Sequence, residues 1–156
     1  MDQGILITSR EKLTPSHRQD HEPYEYFKYL AQSGAGNGCQ VSFYELPPQK
    51  ANYPYHYHAL STEVFYIISG LGTLKTPEGD KPIKAGDVVV CPPGERGAHK
   101  LVNTSQIETL FYLDVDTAHG ADAAFYPDSG KVGVLVDGQP GAFFRREDET
   151  VYYDGE

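Results

Sequence analysis

The chain has 156 residues, one domain's worth of sequence, and a formal net charge of −9, which argues against nucleic acid held by phosphate contacts and against an anionic membrane surface. Its hydrophobic share is 39%, with 16 glycines and 11 prolines, a composition that favours turns and short strands over long helices. No apolar run approaches the ~18 residues of a membrane span, and Ile5–Ile7 is too short for a signal-peptide core, so a soluble cytoplasmic protein is expected. The charge is uneven: residues 104–156 hold 11 acids against 3 bases, which reads as a solvated acidic surface. Cys39 and Cys91 have no metal-ligand spacing and read as buried thiols.

Residues 1–23 are mixed and polar, with Ile5–Thr8 the one strand-like piece, so an arm or edge strand followed by a loop is expected. His17 and His21 lie between Pro15 and Pro23 with no helical apolar period, and they read as surface histidines. The pattern of Tyr24–Gln32 fits a strand or a short helix. Ser33–Gly38 is a loop. Cys39–Leu46 alternates, with Val41, Phe43 and Glu45 on one face and Ser42, Tyr44 and Leu46 on the other; Pro47-Pro48 ends it.

The stretch Pro54–Gly70 carries the chemistry. His56 and His58 project to the same side of an extended chain, and a turn through Ala59–Thr62 would bring Glu63 beside them on the next strand. Tyr55 and Tyr57 then face away and read as packing or dimer contacts, whereas Phe65 and Ile67 share Glu63's face. Leu71–Thr76 and Lys81–Lys84 are strands about the turn Pro77–Asp80, where proline sets φ and glycine supplies φ > 0. After a turn at Ala85–Asp87, Val88–Cys91 is a buried strand. His99, Leu101 and Asn103 share a face of the next, and Glu108–Val115 is a strong strand. About seven short strands between residues 39 and 115 indicate an all-β sandwich or barrel. Beyond them, Asp116–Ala124 is read as a loop or helical turn, Tyr126–Lys131 as a turn and Val132–Val136 as a strand. Phe143–Tyr153 has no decisive pattern.

Two motifs together resemble the cupin superfamily. His56, His58, Glu63 and Gly70 match H-x-H, three or four residues, E, six residues, G. Gly86, Pro92, Gly94, His99 and Asn103 match the second motif, G, five residues, P-x-G, a short gap, H, three residues, N. Lys50 stands where a glycine is usual, and four residues rather than two separate Gly94 from His99. The resemblance spans roughly residues 40–115 and points to small single-domain cupins that mostly lack an assigned reaction. It implies a double-stranded β-helix, a jelly-roll-like barrel, as a single domain over 1–156: core 39–115, N-terminal arm and loop 1–38, C-terminal extension 116–156. It further implies His56, His58, Glu63 and His99 as ligands of one divalent metal, and a homodimer formed through Met1–Thr8 or Cys39–Leu46.

Three imidazoles and a carboxylate suit Mn, Fe, Co, Ni or Zn better than Ca or Mg, and octahedral geometry would leave two positions for small-molecule oxygens or dioxygen. The expected function is a metal-dependent enzyme on a small oxygen-rich or anionic molecule, by dioxygen insertion, decarboxylation or isomerisation, with Glu63 the candidate base. The alternative is a binding or sensing module without turnover. It gains weight because no second acid or base is evident among Phe65, Ile67, Val88, Val90 and Leu101. Arg96, Lys75 and Lys100 are the basic candidates for greeting an anion. Their small number disfavours phosphosugars.

Overall fold

A computed structural model describes residues 4–156. Thirteen strands run β1 (Ser16–Gln19), β2 (Glu25–Gln32), β3 (Cys39–Leu46), β4 (Tyr57–His58), β5 (Glu63–Ser69), β6 (Leu71–Thr76), β7 (Gly79–Lys84), β8 (Val88–Cys91), β9 (Lys100–Val102), β10 (Leu110–Thr117), β11 (Ala121–Tyr126), β12 (Lys131–Val136) and β13 (Ala142–Arg145). They form a six-stranded sheet in the order β1-β2-β3-β10-β5-β8, a four-stranded sheet β13-β12-β11-β4 and a three-stranded sheet β7-β6-β9. All strand pairs are antiparallel, and the sheets do not close into one continuous barrel. Isolated bridges at Ala51↔Val102 and His56↔His99 tie the segment before β4 to β9 and the residue preceding it. Among the described residues no helix is long and apolar enough to cross a membrane.

The register stacks inward side chains in layers. Lys28, Tyr44, Tyr112 and Ile67 align across β2, β3, β10 and β5; Ser42, Asp114 and Phe65 form the next layer; Gln40, Asp116, Glu63 and Cys91 the third. The first layer is the aromatic floor. Tyr44 and Tyr112 stack at 5.2 Å, Tyr44 and Tyr53 hydroxyls meet at 3.0 Å, and Asn52 Nδ2 donates to Tyr112 Oη at 2.9 Å. Each buried phenol thus has a partner, as burial demands.

Several expectations change. The loop expected after Ile5–Thr8 contains β1, where His17 stacks on Phe27 at 4.3 Å and meets Glu25 at 3.1 Å. Residues 5–8 are not a strand; Ile5 is almost fully exposed, and Met1–Gln3 lie outside the described residues. Tyr24–Gln32 resolves as strand because β3 offers it a full edge. Asp116–Ala124 is the end of β10 and the start of β11 rather than a loop, since β3, β5 and β12 supply ladder partners. Phe143–Tyr153 holds a strand end and one turn of 3₁₀ helix. Both edges of β3 are paired, by β2 and β10, so a second copy can reach only its face. Cys39 is partly exposed and Cys91 buried, both as free thiols.

Two motif residues prove structural. Gly70 has φ +87°, and a Cβ there would lie 2.7 Å from the Thr109 carbonyl oxygen, so no other residue fits without strain. Fully buried Asn103 donates from Nδ2 to the carbonyls of Leu46 (2.9 Å), Pro47 (3.1 Å) and Glu108 (2.8 Å), joining the ends of β3 and β9 to the approach to β10. Replacing it orphans buried carbonyls. Asn103→Ala should cost about 2 kcal/mol, a fall in melting temperature of roughly 4–8 °C. An unchanged thermal unfolding midpoint would show that these bonds carry no weight.

Candidate metal centre

The centre begins with a backbone bridge. His56 N–H donates to His99 C=O at 3.1 Å and His99 N–H to His56 C=O at 2.8 Å, so two residues far apart in sequence present their rings side by side, centroids 4.9 Å apart. His58, two residues on, falls on the same side and lies opposite Ala124 of β11. Glu63 opens β5 across from Asp116. The Nε2 atoms of His56, His58 and His99 lie 3.8, 3.9 and 3.2 Å from Glu63 Oε2. His56, His58 and Glu63 each offer a ligand atom within 4.8 Å of the others. All four residues expected from the two motifs are therefore brought together.

The opposite ring nitrogens are all engaged. Nδ1 of His56 meets the Pro54 carbonyl at 2.9 Å, Nδ1 of His99 the Gly97 carbonyl at 2.9 Å, and Nδ1 of His58 the Asp122 carboxylate at 3.0 Å. A carbonyl only accepts, so Nδ1 carries the proton and Nε2 keeps its lone pair. Burial, then the neighbouring imidazoles His99 and His58, pulls His56 down to about 3. Burial likewise pulls His99 down to about 4, with His58 adding to the effect. Both rings are neutral at physiological pH. Burial, then the carboxylates of Asp116 and Asp122, pushes Glu63 well above the usual carboxylate range, partly offset by Lys28. Three imidazole lone pairs thus converge on a carboxyl group whose charge is costly in this setting. A divalent cation relieves that cost, and the donor set and fixed Nδ1 partners fit a borderline transition metal.

Asp122 is a support that sequence reasoning missed. Besides His58 it accepts from the backbone N–H groups of Leu60 (3.0 Å), Ser61 (3.1 Å) and Ala123 (2.7 Å), pinning the turn between β4 and β5. Burial alone would raise its pKa, but hydrogen bonds from Ser61 and Ala123, with His58 and Leu60, hold it below the ordinary value. Asp116 and Asp114 were also missed. They continue the inward alternation of Leu110 and Tyr112 on β10, and that period of two was the available signal. Asp114 is 5% exposed, and its Oδ1, Asp116 Oδ1 and Ser42 Oγ have no hydrogen-bond partner. A cavity of about 330 Å³ is lined by His58, Glu63, Asp116, Gln40 and His119, with Asp114 and Ser42 off its wall.

Other candidates lie elsewhere. Tyr57 stacks on Phe125 at 5.0 Å and Tyr55 sits beneath Lys75 at 4.3 Å, both turned from the imidazole cluster as alternation requires. Tyr126, not singled out by its sequence context, stacks on His56 at 5.7 Å. Lys75 pairs with Asp128 at 2.8 Å, Lys100 reaches Tyr24 Oη at 3.2 Å, and Arg96 lies in a groove with Pro92 and Pro93.

The comparisons agree with this geometry. A family model described as a cupin domain matches residues 42–116, and the chain belongs to the cupin superfamily. A sugar phosphate isomerase of that superfamily from Silicibacter pomeroyi DSS-3 superposes with a TM-score of 0.68 at 25% identity, over 81% of this chain and 82% of that one. A predicted oxalate decarboxylase from Thermotoga maritima gives 0.64 at 26% identity, over 73% of this chain and 100% of that one. A provisionally named sugar phosphate isomerase from Acidithiobacillus ferrooxidans ATCC 23270 gives 0.79 over 94% and 95%, at 24% identity, a likeness of fold. No curated protein matches the sequence.

Because Glu63 must ionise to bind a cation and its pKa is raised, while His56 and His99 are held neutral, metal uptake should release protons from Glu63 at acidic pH, in an amount that falls as pH rises. Affinity should rise with pH as Glu63 loses its proton. Calorimetry in buffers of different ionisation heat measures this, and Glu63→Gln should abolish the release. Release of two or more protons would mean that the histidines are charged in the metal-free protein.

Proposed function

We propose that the chain binds one divalent transition metal through His56, His58, Glu63 and His99, and is an enzyme that moves a proton on a small oxygen-rich substrate held beside it. The observation that carries the enzymatic reading is Asp116. It lies across the β5–β10 pair from Glu63, lines the cavity, and has an unpartnered Oδ1 while Oδ2 accepts from Gln40 Nε2 at 3.1 Å. A carboxylate that lines the cavity and is anchored by Gln40 is placed to take up and return a proton.

The metal would supply Lewis acidity toward a substrate carbonyl or hydroxyl oxygen, which acidifies the neighbouring C–H. The Asp116 carboxylate would accept the proton from the carbon that bears the hydroxyl and return it to the former carbonyl carbon, while the hydroxyl proton passes to the former carbonyl oxygen, so that carbonyl and hydroxyl exchange places with no net gain or loss of protons. Gln40 fixes the carboxylate in the orientation that does this. Asp122 accepts from His58 Nδ1–H, which leaves the Nε2 lone pair free, and holds the turn leading to Glu63. The Silicibacter isomerase, at 25% identity, supports this class of reaction.

The reading as a binding module without turnover loses its main support, because the second inward acid it lacked is present. Val88 and Val90, expected inward in a buried strand, are instead exposed beside Tyr66 and Ile68 on the outer face of β5 and β8, because only Cys91 of that strand is buried; this apolar surface is in keeping with a homodimer.

Isomerisation by proton transfer exchanges a substrate C–H with solvent. In D2O, the metal-loaded protein should incorporate deuterium next to the carbonyl of a reactive aldose or ketose, read by NMR. Asp116→Asn should slow this at least ~100-fold with metal content unchanged. Equal exchange rates in the variant and the parent would remove Asp116 from the chemistry.

A further inference from the structure

The wall of the cavity is one-signed. Its charged side chains are Glu63, Asp116, Asp122 and Asp137, and no lysine or arginine lines it. Behind Asp116 and off the cavity wall lies a fifth carboxyl group, Asp114, buried opposite the fully buried Ser42. Lys28 is the cation of the aligned interior layers. It sits over the Tyr44 ring at 5.3 Å, two layers below Glu63 and off the cavity wall. The basic candidates Lys75, Arg96 and Lys100 are engaged or directed elsewhere.

Resting on the proposed reaction at this site, we infer that the substrate is an uncharged polyhydroxylated molecule, and that Asp116 binds one of its hydroxyls. Phosphate and carboxylate groups are recognised by arginine, lysine or clustered backbone N–H groups. This cavity shows them four carboxylates, whose combined charge exceeds that of a divalent metal ion. Like charges along the wall oppose the entry of an anion. The carboxylates that line the cavity, Asp116, Asp122 and Asp137, are acceptors, so the matching ligand brings donors. A hydroxyl does so and also has lone pairs for a metal; an ammonium has protons but no lone pair. A vicinal hydroxy-carbonyl or diol therefore satisfies both sides of the cavity at once. The volume, about 330 Å³, is near the lower end of small-molecule pockets, which suits a short sugar. In this respect the chain would depart from a sugar phosphate isomerase and an oxalate decarboxylase, whose substrates are anions.

The test uses full-length protein loaded with Mn(II), which broadens the proton resonances of molecules bound beside it. Uncharged pentoses and hexoses, ribose 5-phosphate, oxalate and ethanolamine serve as probes, with the carbon-13 signal reporting oxalate. At least one uncharged sugar should show saturable broadening at tenfold or more lower concentration than the phosphate ester, oxalate or the amine. Asp116→Asn should weaken that sugar at least tenfold and strengthen oxalate. Asp137→Asn, at the exposed rim, should strengthen oxalate without unfolding the protein. Tighter binding of ribose 5-phosphate, oxalate or ethanolamine, no saturable binding of any sugar, or unchanged sugar affinity in Asp116→Asn would overturn the inference. The readout is affinity, so a sugar that binds but exchanges no C–H proton refutes the proposed reaction alone. Exchange confined to an anionic substrate refutes only the present inference.

Discussion

The site depends on the two-bond backbone bridge between His56 and His99. It is short, it joins two sheets that are not otherwise closed on one another, and it fixes two imidazoles at 4.9 Å. Everything else at the centre is oriented from that point. His58 follows by strand alternation, the turn after it is held by Asp122, and the same turn delivers Glu63 to β5. The second constraint is tautomeric. Each Nδ1 faces an acceptor, so each Nε2 faces Glu63 with its lone pair.

Beyond the imidazoles, the interior is unusually acidic for a core. Burying Glu63, Asp114 and Asp116 close together is unfavourable unless protons or cations compensate. Burial, followed by the nearby Asp116 and Glu63, pushes Asp114 well above the usual carboxylate range. Burial pulls Lys28 down, opposed by Asp114, Asp116 and Glu63. The first layer, with Tyr44, Tyr112 and Ile67, is packed and hydrogen-bonded; the two layers above it carry the unpartnered oxygens. Stability and function are thus separated along the same strands, one layer for packing and two for polar chemistry.

Much of this was legible in the sequence. The all-β class followed from short alternating runs punctuated by glycine and proline. Paired motifs named His56, His58, Glu63 and His99, and strand alternation turned Tyr55 and Tyr57 away from them. What escaped notice has physical causes. Asp116–Ala124 is polar and contains Gly120, so local signals favoured a loop; ladder partners on β3, β5 and β12 override them. That misreading hid both Asp116, the facing acid, and Asp122, the support of His58. Asp114 lay inside a recognised strand, but the search for an inward acid did not extend to β10. The strand character of Ser16–Gln19 comes from pairing with β2, which no local pattern of four exposed residues reveals.

The central claim, that three imidazoles and one carboxylate hold a transition metal, is tested most directly on protein purified without chelator or nickel resin. Elemental analysis should find close to one transition-metal ion per chain. Electron spin-echo spectroscopy after exchange to Mn(II) or Co(II) should show imidazole nitrogen coupling that weakens in His58→Ala. Folded protein with no bound transition metal, unable to take one up, would contradict the account.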